Sequence, residues 1–118
     1  MEIDKMAQYT TTVKGKLDQL RKYILRNEPL LGATITLEEE ISGSADEVKY
    51  WVGTFERYAA LGENRSSLNV VLMEMKDGVR VIATASGGSQ AMFLKINHWS
   101  DDNFLDAFIR VVEGYKKK

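Results

Sequence analysis

The sequence predicts an α+β fold, an antiparallel β-sheet of about five to six strands with an N-terminal helix and a long C-terminal helix packed on one face. Three observations predict it. Apolar residues between positions 33 and 97 recur mostly at every second residue, as in strands. Those near the C-terminus recur every three or four residues, as in a helix. Asp77-Gly78 is the strongest short hairpin signal in the chain.

The first segment predicts a strand followed by a helix. Residues 8–13 contain three threonines beside Tyr9, and β-branched and aromatic residues favour strands. Leu17, Leu20 and Ile24 then follow at helical spacing. Pro29 ends the predicted helix, because the residue before a proline avoids α-helical geometry.

The middle of the chain predicts the sheet. From residue 33 the apolar period is two, which assigns Ile35, Leu37 and Ile41 to one face of a strand. The run 48–58 is apolar on both faces, which predicts a central strand or one covered on both sides. Alternation predicts three further strands, at residues 68–75, 79–86 and 92–97.

The C-terminal segment predicts an amphipathic helix that covers one face of the sheet. Ser100 is suited to cap its N-terminus, where Asp101 and Asp102 also complement the helix dipole. The apolar stripe consists of Phe104, Leu105, Phe108, Val111, Val112 and Tyr115.

Composition limits the classes of function. A chain of 118 residues predicts a single domain, 1–118. The formal net charge of −1 lacks the basic footprint of a nucleic-acid-binding protein. The absence of cysteine excludes disulfides, thiolate nucleophiles and cysteine-based metal sites. No segment reaches the apolar length of a membrane span. We therefore expect a cytoplasmic protein with no cofactor and with neither nucleic acid nor membrane as a partner.

Most of the residues that core packing does not require lie in two polar clusters. One consists of residues 56–58 and 64–67, and the other of residues 86–90. The hairpin at residues 68–86 should return the chain to its starting point, so the 62–67 and 86–90 loops should share one end of the sheet. Arginine can hold a carboxylate or phosphate in bidentate fashion, and backbone N–H groups at paired glycines can cradle an anion. The candidate ligand-binding residues are Arg57, Asn64, Arg65, Ser86, Gly87, Gly88, Ser89 and Gln90. The alternative is structural: a tight glycine turn, and arginines paired with neighbouring glutamates.

Catalytic and metal-binding residues are not predicted. His98 is the only histidine and has no partner at a fixed spacing, so neither a metal site nor a catalytic dyad is expected. Strict alternation would turn Glu39 to the apolar face of its strand, where a lone carboxylate is costly. A β-bulge or a strand edge explains Glu39 better than a catalytic base does.

Three runs resemble a family of short, uncharacterised bacterial proteins of unknown function, found mainly in Firmicutes. The resemblance continues into Phe104-Leu105, whereas residues 1–50 match only in general pattern. It implies a bacterial, cytoplasmic, single-domain protein and no particular activity. The runs are Phe55-Glu56-Arg57-Tyr58, Gly62-x-Asn64-Arg65-x-Ser67-Leu68-Asn69-Val70 and Ser86-Gly87-Gly88-Ser89-Gln90-Ala91-Met92-Phe93-Leu94-Lys95-Ile96-Asn97.

Two classes of function stay open from the sequence. The first is a non-catalytic binding or interaction module, which includes self-association into a homodimer through a sheet face or edge. The second is a small-molecule binder or enzyme that holds an anionic ligand at the polar end of the sheet, using Arg57, Arg65 and the 86–90 turn. A closed pocket that touches both polar clusters would favour the second class.

Overall fold

The computed structural model describes residues 8–32, 34–58, 65–87 and 104–118. Its strands are β1 (Gln8–Val13), β2 (Thr36–Ala45), β3 (Val48–Tyr58), β4 (Arg65–Met75) and β5 (Gly78–Gly87). Its helices are α1 (Leu17–Arg26), a short 3-10 helix (Glu28–Leu31) and α2 (Phe104–Lys116).

The five strands form one antiparallel sheet in the order β1-β5-β4-β3-β2, which confirms the α+β class. Among the described strands β4 is central. Strand β3, whose sequence predicted a central strand or one covered on both sides, lies inside the sheet between β4 and the edge strand β2. The strand predicted at residues 92–97 lies outside the described residues.

One face of the sheet carries both helices and forms the core; we call it the covered face. Alternate residues of the strands pack there, and Trp51, Phe55 and Val81 are at most 1% exposed. Helix α1 contributes Leu17, Leu20 and Ile24 to the same apolar cluster. Helix α2 contributes Phe104, Leu105, Ala107, Phe108, Val111 and Val112, as its predicted stripe requires.

Helix α2 is shorter than predicted. Its 13 described residues span roughly 20 Å, whereas the 11 residues of β3 span about 36 Å. A helix of this length covers only part of the sheet, so the prediction of a long C-terminal helix is wrong. The predicted cap at residues 100–102 lies outside the described residues.

Helix α1 is capped from a distant strand. Its N-cap residue, Lys16, makes no side-chain capping hydrogen bond. Instead, the backbone N–H of Leu17 donates to Oε1 of Glu74 on β4, at 2.8 Å. A carboxylate in this position satisfies a free N–H group and complements the helix dipole. The helix ends at Arg26, before Pro29 as predicted. Pro29 itself lies within a 3-10 helix that was not predicted.

A β-bulge in β2 changes which residues face the helices. The register with β3 shifts between Leu37 and Glu39, and β2 is an edge strand of the described sheet, so both the β-bulge and the strand edge offered as explanations for Glu39 are present. Because the bulge inserts a residue, Leu37 lies on the covered face while Ile41 lies on the other, 60% exposed. The prediction that Ile35, Leu37 and Ile41 share one face is therefore wrong for Ile41.

The two hairpin turns differ in backbone conformation. The predicted hairpin between β4 and β5 is confirmed, with Lys76 and Asp77 in the turn and Gly78 at φ 143°. The β2–β3 turn places Asp46 and Glu47 at φ 52° and 70°. Residues other than glycine rarely adopt a positive φ, and two-residue hairpin turns in which both residues have a positive φ favour Asn-Gly.

Candidate functional site

The two predicted polar loops meet at one end of the sheet, as far as the structure describes them. Ser66 pairs with Gly87 and Ser67 with Ser86 across β4 and β5, while Arg57 on β3 pairs with Ser66. This confirms the predicted juxtaposition for these residues. Four candidate residues lie outside the described ranges: Asn64, Gly88, Ser89 and Gln90.

The sheet separates the two candidate arginines. Arg57 follows Phe55 by two residues and lies on the covered face. Its Nη1 donates to the carbonyl oxygen of Leu31 at 2.8 Å, and its Cζ lies 4.6 Å from the ring centroid of Phe104. Arg57 thus ties the 3-10 helix and the first residue of α2 to β3, through a hydrogen bond and a cation–π contact.

Arg65 lies on the opposite face, which we call the open face. It pairs with Tyr58 in the register, donates to the Tyr58 hydroxyl at 3.3 Å and lies 3.4 Å from Oε1 of Glu56. The hydrogen bond to Tyr58 and the Glu56 carboxylate raise the pKa of Arg65. The alternation of β4 and β5 places Ser67 and Ser86 on this same face.

The predicted candidates therefore form two groups. Arg57 and Gly87 belong to the covered face, whereas Arg65 and Ser86 belong to the open face. Ser67, which was not predicted as a candidate, also lies on the open face. A ligand on the open face has Arg65 within reach and is separated from Arg57 by the backbone of the sheet.

The other end of the open face carries apolar side chains, and sequence reasoning did not identify this surface. We call these residues the apolar patch: Ile41, Ala45, Val48, Tyr50, Val52, Val71, Met73, Met75 and Ile82. Most of them line a shallow depression of about 410 Å³. None of them belongs to the described core cluster, so the patch is separate from the packing that holds the helices to the sheet.

The patch forms because the register aligns apolar residues of four strands in rows. Ile41, Val52, Val71 and Ile82 stand side by side across β2, β3, β4 and β5. The bulge in β2 is essential to this row, because it turns Ile41 to the open face. In the sequence, the only indication of the apolar patch is the run 48–58, which is apolar on both faces. The pairing register, which joins the second of these faces to apolar residues of the neighbouring strands, cannot be seen in that run.

Charged residues of opposite sign flank the apolar patch. Arg80 on β5 is exposed, pairs with Met73 in the register and donates to the Thr12 hydroxyl at 3.3 Å. On the far side, the exposed Asp46 lines the depression, with Glu47 beside it in the β2–β3 turn. The patch is thus bordered by a cation on β5 and by two carboxylates beyond β2.

The remaining perturbed groups have structural explanations. The Tyr9 hydroxyl donates to Oε2 of Glu113 at 2.6 Å, and Lys116 Nζ lies 3.2 Å from the same oxygen. Burial and the carboxylate raise the pKa of Tyr9, while the hydrogen bonds from Tyr9 and Lys116 lower that of Glu113. Within the described ranges, no group of three or more acidic or histidine residues is placed to hold a metal ion. None of the helices in the described ranges is long and apolar enough to cross a membrane.

Comparison with known proteins identifies a family and no activity. Residues 6–116 match the model of a family described as "Family of unknown function (DUF6054)". No curated protein matches the chain. A solved structure described as the "di-domain ARO/CYC StfQ from the steffimycin biosynthetic pathway" is similar with a TM-score of 0.41 and 9% sequence identity. That match covers 98% of this chain and 53% of the other, so the chain spans about half the length of that structure.

Proposed function

The chain belongs to the family of unknown function DUF6054, and we propose that it acts as a non-catalytic binding or interaction module that binds through the apolar patch. One observation carries the proposal: nine apolar residues cluster on a sheet face that takes no part in the described core. Large contiguous apolar patches on soluble proteins mark interaction surfaces, because exposed apolar area is unfavourable in water.

The arrangement of chemical groups supports binding over catalysis. The patch supplies apolar contact area and an open depression, which suit a broad partner more than a small substrate enclosed in a pocket. Among the described residues, the perturbed pKa values lie at the Tyr9–Glu113 pair and at Arg65, and ordinary pairing explains them. A bacterial source and a cytoplasmic location stay predictions.

Binding of an apolar dye tests whether the patch is an accessible interaction surface. We expect wild-type protein at low concentration to enhance the fluorescence of anilinonaphthalene sulfonate, and Met73→Glu to abolish most of that enhancement. Ser67→Glu is the matched control, since it adds the same charge to the same strand and face at the polar end. Circular dichroism verifies folding. Equal dye binding by Met73→Glu and wild type, or none by wild type, would contradict the proposal.

A second candidate function is anion binding at the polar end of the open face. It is favoured by the shared orientation of Arg65, Ser67 and Ser86, which supply one guanidinium and two hydroxyls. Titration with inorganic phosphate and with carboxylate-bearing metabolites tests it. We expect binding by wild type and by Arg80→Ala, and loss of binding in Arg65→Ala. Equal binding by wild type and Arg65→Ala, or none by either, would leave the ion pair between Arg65 and Glu56 as a purely structural contact.

A further inference from the structure

We infer that the partner of the apolar patch is a second copy of this chain, bound face to face in a two-fold symmetric dimer. The inference rests on the proposed function and names the occupant of the same surface. In such a dimer both copies use the same surface: where one residue contacts a second residue of the partner subunit, that second residue contacts the first residue of the partner subunit in turn. The surface must therefore be complementary to itself. The charges that flank the patch meet this requirement.

The register fixes where those charges stand. Arg80 lies on β5 in the row of Met73, while Asp46 and Glu47 follow the end of β2, three strands away. A surface with only one sign of charge around an apolar centre would repel its own copy. This surface has a cation on one side and a carboxylate pair on the other. In a two-fold dimer the cation of each copy can therefore meet the carboxylates of the other copy, which gives two equivalent contacts between opposite charges.

A single axis satisfies both the apolar and the charged contacts. Strands lie about 4.8 Å apart, and side chains on one face repeat about every 6.7 Å along a strand. On that grid, a line from Met75 past Tyr50 to Ile41 runs diagonally across the patch. Arg80 and Asp46 lie on opposite sides of the line, each roughly 8 Å from it and at similar positions along it.

Rotation by 180° about this line therefore places Arg80 against Asp46 of the partner subunit, and Asp46 against Arg80 of the partner subunit. Apolar residues along the axis then meet their own copies. Because the line lies about 35° from the strand direction on this grid, the strands of the two sheets cross at about 70°, which is nearer to the orthogonal than to the aligned mode of sheet packing.

The area of the face suits a reversible dimer. The patch covers about four strands and three side-chain rows, roughly 400 Å², and the whole open face covers roughly 600–800 Å². A standard interface buries about 800 Å² per partner, so contacts at the edge of the patch must contribute to a stable dimer. The formal net charge of −1 adds little repulsion between copies. We expect a dissociation constant of about 1–100 µM.

Sedimentation equilibrium of charge-reversed variants tests the inference. We expect wild type to dimerise, and Arg80→Glu to weaken dimerisation at least about tenfold, because each of the two symmetric contacts becomes repulsive. Asp46→Lys combined with Glu47→Lys should weaken it similarly. The protein with all three substitutions should recover affinity to within about threefold of wild type, since both contacts are again attractive. Lys22→Glu, an exposed position on α1, is the control for altered net charge and should dimerise as wild type does.

The outcomes separate this inference from the proposed function. If the wild type binds the dye at the patch but stays monomeric at about 1 mM, the inference that a second copy is the partner is wrong. The proposed function would then still hold, with another protein as the partner of the patch. A dimer whose affinity none of the reversals changes would overturn the arrangement. If a variant that carries Asp46→Lys and Glu47→Lys in the β2–β3 turn fails to fold, Arg80→Glu and Met73→Glu each give an independent test. Both of these variants must weaken the dimer. A patch that binds no dye in the monomer would contradict the proposed function itself.

Discussion

The covered and open faces of the sheet are built from alternate residues of the same strands, yet they have different roles. Val70 on the covered face is fully buried within the core, whereas its neighbour Val71 lies on the open face among residues outside that core. Both faces contain apolar residues. The comparison teaches that apolar content alone does not identify a core, and that the partner of each face must be established separately.

The two candidate arginines illustrate the same difference. Arg57 on the covered face bridges the 3-10 helix, α2 and β3, so its role is structural. Arg65 on the open face is exposed and paired with Glu56 and Tyr58 at the surface. Exposed ion pairs contribute little to stability, so Arg65 can be replaced at small cost to the fold.

The largest effect should follow from loss of packing on the covered face. Phe108 on α2 is fully buried and packs edge-on against Tyr9, with the ring centroids 6.4 Å apart. Phe108→Ala should lower the free energy of unfolding by about 3–5 kcal/mol, since it leaves a cavity in the core. Chemical denaturation measures this. A loss below about 1 kcal/mol would mean that α2 is peripheral to the fold.

A pair of glycines on opposite faces should respond unequally to alanine. A Cβ at Gly53 on the covered face would lie 2.3 Å from the ring of Trp51, which is buried and donates its indole N–H to Glu40 at 2.8 Å. Gly53→Ala should therefore cost about 1–3 kcal/mol, because the ring cannot move freely. At Gly43 on the open face, the Cβ would meet the outer end of the Tyr50 ring, with Oη at 2.8 Å and Cζ at 3.0 Å.

Gly43→Ala should cost less than Gly53→Ala, because the half-buried Tyr50 ring can swing away on the open face. Thermal unfolding of the two variants provides the comparison. Equal losses at both positions would contradict the assignment of the two glycines to a packed and an unpacked face.

Removal of the remote cap of α1 should have a smaller effect. Glu74→Ala leaves the N–H of Leu17 without its carboxylate acceptor, so we expect a loss of about 0.5–2 kcal/mol. Glu74→Gln retains an oxygen acceptor and should lose less. Glu39→Ala, an exposed glutamate on β2, is the control and should have little effect. Urea denaturation at neutral pH measures all three, and a cost for Glu39→Ala equal to that for Glu74→Ala would argue against capping.

The smallest effect should be a pH dependence at the Tyr9–Glu113 pair. The lowered pKa of Glu113 adds stability at neutral pH, and this is lost as the pH falls through its folded-state value, below about pH 4. The pKa of Tyr9 is raised, so its effect on stability has the opposite pH dependence. The stabilisation that it contributes is present at neutral pH and is lost as the pH rises above about 10.

Tyr9→Phe should accordingly be less stable than wild type at pH 7, and the difference should narrow toward pH 3. Melting temperatures across this range test the prediction. A constant difference from pH 3 to pH 7 would show that the Tyr9 hydroxyl does not act through the Glu113 carboxylate.

Periodicity predicted most of the fold because it directly reports which residues are buried. The position of β1 follows from the threonines beside Tyr9, that of α1 from the spacing of Leu17, Leu20 and Ile24, and that of the β4–β5 hairpin from Asp77-Gly78. The bulge was predicted from the cost of burying Glu39, but its consequence for Ile41 required the register with β3. A one-residue shift reverses every later side chain, and single-strand alternation cannot show where the shift falls.

The candidate site was predicted only in part, for a related reason. Hairpin topology correctly brought Ser66 and Ser67 beside Gly87 and Ser86. It did not determine the faces, which separate Arg57 from Arg65. The apolar patch was missed because its rows join residues from four strands, and no local sequence pattern contains such a row.

The most direct test of the account compares two consecutive valines of β4. The free energies of unfolding of Val70→Thr and Val71→Thr should be measured at a concentration where wild type is monomeric. Threonine matches valine in shape and in strand preference, so only the environment of the new hydroxyl differs. Val70→Thr should cost about 1–3 kcal/mol, since it buries a hydroxyl in the core, and Val71→Thr should stay within about 0.5 kcal/mol of wild type. Equal costs would contradict the claim that only the covered face holds the fold together.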